Sequence, residues 1–309
     1  MGRAWNYIAG IGYASIFGFS FVITKDALEA LDPFELVFLR FSIAALVMSL
    51  LAATGAIKLD FRGKRRGHLA LACAFQPVLY FTCETFGVRE SAASMAGIVL
   101  GTLPAVVAVL GAFMLRERVG APQAACLGLS VLGVAVVVAL GGAIGGESGT
   151  PAGLLFLLGA VASAALYNVY SRKSSIAFSP AETTFAMMWT GAVIFGMVAL
   201  GRGAVLGRLH GAEGLFSRAL PTWPSLLYLG ALSSVLGFFL VNFTLARLRA
   251  SQSAVFSNLT TVVAVGAGVL VRGEPLGAAQ LAGSAMIVLG VWGTNAFAST
   301  PRGNSAPPA

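Results

Sequence analysis

Two stretches decide how this chain folds: Gly120–Val134, GAPQAACLGLSVLGV, and Gly277–Val291, GAAQLAGSAMIVLGV. One ungapped shift of 157 positions places Gly120-Ala121 on Gly277-Ala278 and Gln123 on Gln280. It also places Val131-Leu132-Gly133-Val134 on Val288-Leu289-Gly290-Val291, Glu117 on Glu274, and Ala93-Ser94 on Ala250-Ser251. Matches at Ala and Val arise by chance among apolar segments. Glu, Gly and Gln matching at one fixed spacing do not, and self-similarity of this kind is the signature of an internal repeat. Earlier portions pair more loosely: Ala14-Ser15 with Ala162-Ser163, Asp32-Pro33 with Ser179-Pro180, and Glu35 with Glu182. The chain reads as two copies of one unit, residues 5–140 and 151–298, followed by a small, polar, Pro-rich tail at 299–309 whose composition predicts disorder.

Composition sets the environment of that unit. Of 309 residues 57% are hydrophobic and 10% charged, against roughly 25% charged in a soluble domain. The chain has too few charges to cover a water-exposed surface. Apolar stretches fall at 5–24, 34–54, 67–88, 91–114, 121–140, 151–171, 180–200, 224–246, 251–271 and 276–298, each near the roughly 20 residues that a bilayer core requires of a helix. Asp32-Pro33, Gly149-Thr150-Pro151, Ser179-Pro180 and Gly273-Glu274-Pro275 punctuate them. The first stretch has no clear small-residue cleavage site and reads as a retained helix rather than a signal peptide. The expected fold is an all-α polytopic membrane protein with ten transmembrane helices.

Five spans per unit is an odd number, so the second copy enters the membrane upside down. Two inverted-topology five-helix repeats are an architecture of alternating-access transporters, with the site between repeats near the midplane. Basic residues orient the chain. With the N-terminus inside, thirteen Lys and Arg fall on inner segments and six on outer ones, with Arg40 left within a span. Both termini are therefore expected on the cytoplasmic side of the cell membrane. The +8 net charge then reflects loops facing an anionic bilayer surface rather than nucleic acid. Oligomeric state is left open.

Pro104 in the fourth span, then Glu117, Gln123 and Gly133, and their counterparts Glu274, Gln280, Gly283 and Gly290, resemble the drug/metabolite transporter superfamily, specifically its ten-helix EamA-like branch. FGVRESAAS, from Phe86, is similar to that family's entry into the fourth helix. The resemblance covers residues 5–298. It implies a secondary transporter of small organic metabolites, amino acids or related compounds, often an exporter. The halves have diverged: Thr261 stands where the first repeat has Pro104.

Charged side chains within spans are expensive and face a cavity or a partner. Arg40 and Glu84 are the two here, at similar depth on the second and third helices. They read either as an ion pair holding those helices together, or as a substrate-carboxylate contact and a proton site. Glu117 and Glu274, beside arginines at helix ends, read as boundary anchors. Tyr80, Asn168, Trp189 and Asn242 complete the candidate substrate-binding residues, with packing and interhelical hydrogen bonding as the competing reading.

No catalytic set competes with these. His68 and His210 sit in connections, no Asp lies mid-span, and no P-loop motif occurs. Cys73, Cys83 and Cys126 lie singly in apolar stretches and suggest no metal site. No cofactor is expected. An intramembrane enzyme and a non-transporting scaffold remain the alternatives; the first lacks a Ser-His or carboxylate cluster, and the second would leave the inverted repeat idle.

Overall fold

The computed structural model describes residues 3–114, 120–141, 149–205, 215, 217–248, 253, 256–273 and 277–297. The tail at 299–309 and the anchors Glu117 and Glu274 lie outside them. The fold is all-helical, at 86% helix, with no strand among the described residues. Among the described residues seven stretches are long and apolar enough to cross a bilayer, and three shorter apolar helices complete the ten.

In the first repeat these are α1 (Arg3–Ala27), α2 (Pro33–Ala53), a third span built from α3 (Gly67–Cys73), a π-helical segment (Ala74–Leu79) and α4 (Tyr80–Arg89), a fourth from α5 (Ala93–Leu100) and α6 (Leu103–Met114), and α7 (Ala121–Gly141). The second contains α8 (Pro151–Ser174), α9 (Pro180–Val205), an eighth span from α10 (Trp223–Leu227), a π-helical segment (Tyr228–Gly237) and α11 (Phe238–Arg247), then α12 (Phe256–Arg272) and α13 (Ala278–Ala296).

Three stretches expected to be continuous are thus interrupted. Gln76, directly before Pro77, has extended backbone (φ −146°, ψ 113°), because a following proline disfavours the helical region. The fourth span breaks at Gly101-Thr102 and restarts with Pro104 as the second residue of α6, where a missing N–H costs nothing. The third and eighth spans are repeat counterparts, and both carry a π-helical segment.

Helix packing displays the repeat directly. The fifth span packs on the tenth, the second on the seventh and the fourth on the ninth. The first packs on the eighth and ninth, as the sixth packs on the third and fourth. Exchanging each span for its counterpart leaves this set unchanged, which defines a two-fold relation of isologous type. With five spans per repeat the axis lies in the membrane plane.

The fifth–tenth contact shows why the matched glycines match. A Cβ on Gly133 would lie 2.7 Å from the Gly283 carbonyl oxygen, and one on Gly290 would lie 2.6 Å from that of Cys126. Shifting Cys126 by 157 gives Gly283, so the two contacts are one contact seen from both sides. Ser130 donates to the carbonyl of Ile287, its own counterpart, at 3.4 Å.

Polar contacts at the helix ends obey the same symmetry. Asp32 and Glu35 form a capping box at the start of α2. Ser179 and Glu182 exchange the same pair of bonds at the start of α9, satisfying amides that the helix leaves unpaired. Each glutamate is then held by a basic residue from the opposite repeat, Glu35 by Arg218 at 2.6 Å and Glu182 by Lys64 at 2.9 Å. Lys25 donates to the Val88 carbonyl at 3.1 Å and Arg172 to that of Leu245 at 3.0 Å, again counterparts. Because the repeats are inverted, one member of each pair lies at each membrane face.

The outside of the bundle is apolar. Phe113, Leu155, Leu270 and Trp292 are 65–85% exposed, a surface that water would not tolerate and lipid requires. The chain is a multi-pass membrane protein.

Candidate functional site

A partly open cavity lies between the repeats, with about 80 Å³ of space for a water-sized sphere. Tyr13, Phe17 and Phe21 of α1, Gln76 and Tyr80 of the third span, and Gly97, Leu100 and Leu103 of the fourth bound it from the first repeat. Ala164, Tyr167 and Asn168 of α8, Phe238 and Val241 of α11, and Ser257 and Thr260 of α12 bound it from the second. The first, third and fourth spans therefore face the sixth, eighth and ninth, which are their counterparts. The cavity straddles the two-fold relation.

The broken third helix contributes at its break. Irregular backbone at membrane depth is tolerated where it lines a cavity, and Gln76, the residue with extended backbone, is a lining residue. The aromatic wall is pre-packed: the rings of Tyr13 and Phe17 lie 5.8 Å apart and those of Phe17 and Phe238 5.1 Å apart. The Tyr13 hydroxyl donates to the Ser253 carbonyl at 2.6 Å, so that ring is fixed from outside the cavity.

Of the residues singled out from sequence, Tyr80 and Asn168 line the cavity. Asn168 donates through Nδ2 to the Ala164 carbonyl at 2.8 Å. Asn242 sits one layer behind the wall with its amide fully engaged. Its Oδ1 accepts from the Tyr167 and Ser171 hydroxyls at 2.8 Å each, and its Nδ2 donates to Thr184 Oγ1 at 3.0 Å. It ties the sixth, seventh and eighth spans together and holds Tyr167 in place. Trp189 is 42% exposed on the outer surface, where Nε1 donates to Ser49 Oγ at 3.1 Å. The structure does not bring it to the cavity.

Arg40 and Glu84 are both buried, at 3% and 2% exposure, and neither is among the lining residues. Arg40 donates to Ser234 Oγ at 2.8 Å and Ser233 Oγ at 2.9 Å, with its guanidinium 4.4 Å from the Phe81 ring centroid. Those serines belong to the π-helical segment of the eighth span and Phe81 to the third, so Arg40 ties the second span to the eighth across the repeats as well as to the third. Glu84 accepts from the Thr85 hydroxyl at 3.3 Å. The two charges act on each other electrostatically, and on Tyr80 at the cavity wall, without closing into an ion pair.

Sequence reasoning singled out none of Gln76, Leu103 and Thr260 for the cavity. The 157-residue shift held the missing signal: it superposes Leu100 on Ser257 and Leu103 on Thr260, and all four line the cavity. The repeat thus builds the same two positions twice, apolar in one copy and hydroxylic in the other.

Comparison with known proteins agrees with this architecture. The model of the EamA-like transporter family matches residues 4–139 and 151–296, one match per repeat. The transporter YcxC of Bacillus subtilis (strain 168) is 34% identical over 289 residues, covering 94% of this chain and 92% of that protein. A protein of Salmonella typhimurium (strain LT2) named a probable amino-acid metabolite efflux pump is 26% identical over 279 residues, 90% of each chain. One solved crystal structure superposes with a TM-score of 0.62 at 19% identity, covering 96% of this chain and 99% of that one, which shows a shared fold. The chain belongs to the EamA-like transporter family, within the drug/metabolite transporter superfamily.

Proposed function

We propose that this protein is a secondary transporter of small organic metabolites, amino-acid-related compounds among them, working by alternating access and in the direction of export. The observation that carries this reading is the cavity bounded by the same three helices of each inverted repeat. When two inverted copies enclose one site, exchanging their conformations converts a cavity open to one face into the same cavity open to the other. The similarity to a named metabolite efflux pump supports the substrate class and direction. The excess of basic residues on the segments sharing a face with the termini supports placing both termini in the cytoplasm of a cell whose plasma membrane holds the protein.

Transport is favoured over intramembrane catalysis because the cavity wall offers no acid, base or nucleophile pair of the kind that bond cleavage needs. The test is flux. Purified protein in proteoliposomes should release preloaded, labelled amino-acid-related metabolites with saturable kinetics, and unlabelled compound outside should accelerate the release. Release no faster than from empty liposomes across the panel would refute transport of this class. Single-cysteine variants Ala30→Cys and Arg65→Cys test the orientation: an impermeant thiol reagent added to intact cells should label the first and spare the second.

A further inference from the structure

We propose that Glu84 joins the cavity wall when the cavity opens to the face opposite the termini, and there binds the cationic amino group of the transported metabolite. This rests on the reading of the protein as an alternating-access transporter.

The two repeats contribute unequal sets of residues to the cavity in this structure. From the sixth and eighth spans come Ala164, Tyr167, Asn168, Phe238 and Val241, all in the half of their spans nearer the face that carries the termini. Inverted repeats change the open face by exchanging their conformations, so each position then takes on the surroundings that its counterpart has here. The 157-residue shift pairs Val241 with Glu84 and Phe238 with Phe81. The rings of Phe81 and Phe238 meet across the two-fold relation at 5.8 Å. The offset that pairs Ala14-Ser15 with Ala162-Ser163 likewise pairs Ser20 with Asn168. Ser20, Phe81 and Glu84 are buried and outside the cavity here. The exchange brings all three to its wall, nearer the opposite face.

Glu84 is costly where it stands. Among the described residues its carboxylate closes no ion pair and accepts one hydrogen bond, from the adjacent Thr85 hydroxyl at 3.3 Å. A buried carboxylate so thinly paired carries a desolvation penalty, and Val241 shows that the counterpart position packs with an apolar side chain. Service in the other state accounts for its retention. The sign of the wall follows from Arg40. The offset that pairs Glu35 with Glu182 pairs Arg40 with Met187, which is fully buried and does not line the cavity. The guanidinium therefore stays behind the wall while the carboxylate reaches it. The residues lining the cavity here carry no charged side chain, whereas the exchanged cavity presents an anion, which holds an ammonium group by charge-assisted hydrogen bonds.

Thiol chemistry tests this without an identified substrate. Ser20→Cys, in protein with Cys73, Cys83 and Cys126 replaced by Ala, puts one thiol in the wall of the exchanged cavity. Two impermeant methanethiosulfonates of similar size, one ending in trimethylammonium and one in sulfonate, are applied to each face of a sealed vesicle. Rates are normalised to those of each reagent with a free thiol. Ser20→Cys should react only from the face opposite the termini, and at least about 10-fold in favour of the cationic reagent, because reversing a unit charge near a carboxylate reverses its interaction energy. Asn168→Cys should react only from the terminus face and lack that preference. Adding Glu84→Gln to Ser20→Cys should abolish the preference; the comparison of reagents in protein that keeps Glu84 stands without this variant. Reaction of Ser20→Cys from the terminus face, or from neither face in a background where Leu100→Cys reacts from both, overturns the proposal while alternating access stands. Equal or faster reaction with the sulfonate, or a preference that survives Glu84→Gln, overturns the assignment of Glu84. Reaction of Leu100→Cys from one face only overturns alternating access, and this proposal with it.

Discussion

Removing the Glu182 carboxylate should open the membrane face that carries the termini. Its side chain is 4% exposed and accepts four hydrogen bonds: two from Lys64 Nζ at 2.9 Å, one from the Asp60 amide at 2.8 Å and one from the Ser179 amide at 2.7 Å. The Ser179 bond caps the glutamate's own helix and persists in any conformation. The other three come from the connection after α2 and must break if the repeats part at this face. Hydrogen bonds to charged groups contribute about 1.5–3 kcal/mol each when well shielded; sharing one Lys and allowing its 24% exposure leaves about 3 kcal/mol for the set. On the opposite face the counterpart clamp joins Glu35 to Arg218, with side chains 25% and 47% exposed, and an exposed pair contributes about 0–1 kcal/mol. Glu182→Ala should therefore move the equilibrium toward opening at the terminus face by about 2 kcal/mol more than Glu35→Ala moves it the other way, about 30-fold in population. The assay is the labelling rate of Ala164→Cys, a cavity-wall position, by an impermeant maleimide applied from each face of a vesicle, in protein with Cys73, Cys83 and Cys126 replaced by Ala. Glu182→Ala should accelerate labelling from the terminus face by roughly that factor and slow it from the other. Equal, small effects of both variants in monodisperse protein would refute the assignment of Glu182 as the stronger clamp.

Three further outcomes follow from the same contacts. Gly133→Ala should cost about 1–3 kcal/mol through overpacking against the Gly283 carbonyl, whereas Gly128→Ala, whose Cβ meets nothing within 4 Å, should leave thermal stability unchanged. Asn242→Leu should lower stability by about 2 kcal/mol, the sum of several interhelical bonds at roughly 0.6 kcal/mol each, and chemical denaturation in detergent measures it. Glu84→Gln removes the counter-charge that acts on Arg40 from beyond ion-pair distance and should destabilise by about 1–3 kcal/mol. If Glu84 instead exchanges protons, the variant will be as stable as wild type and will lose only pH-gradient-driven accumulation while keeping exchange of labelled for unlabelled substrate.

Much of the fold was legible because the repeat writes it twice. Glycine at 133 and 290 is required by backbone approach at one shared interface, so both copies keep it at the same spacing. Glu35 and Glu182 survive as a pair because each closes a capping box and meets a basic residue of the other repeat. The helix interruptions were half legible: Pro77 and Pro104 were plain in the sequence, but a proline within an apolar run does not say whether the helix kinks, restarts or merely bends. The candidate site was legible in its types more than its members. Tyr80 and Asn168 reach the cavity, while Trp189 faces outward, because helices uniformly apolar around their circumference give no periodicity to distinguish a lipid face from a cavity face. Arg40 shows the deeper limit. Its depth in the membrane was readable, but the Ser233 and Ser234 hydroxyls that hold it sit 193 and 194 residues away, in a π-helical segment that no local pattern announced.

The alternating exposure of one cavity to two faces can be measured without knowing the substrate. Leu100→Cys, in protein with Cys73, Cys83 and Cys126 replaced by Ala, places one thiol in the cavity wall, and impermeant maleimides of two different masses are applied to opposite faces of a sealed vesicle. The expected result is labelling from either face, with a Glu35→Cys/Arg218→Cys disulfide blocking access from that face alone and leaving access from the terminus face intact. Labelling from only one face, unaffected by the cross-link and by temperature, would contradict alternating access.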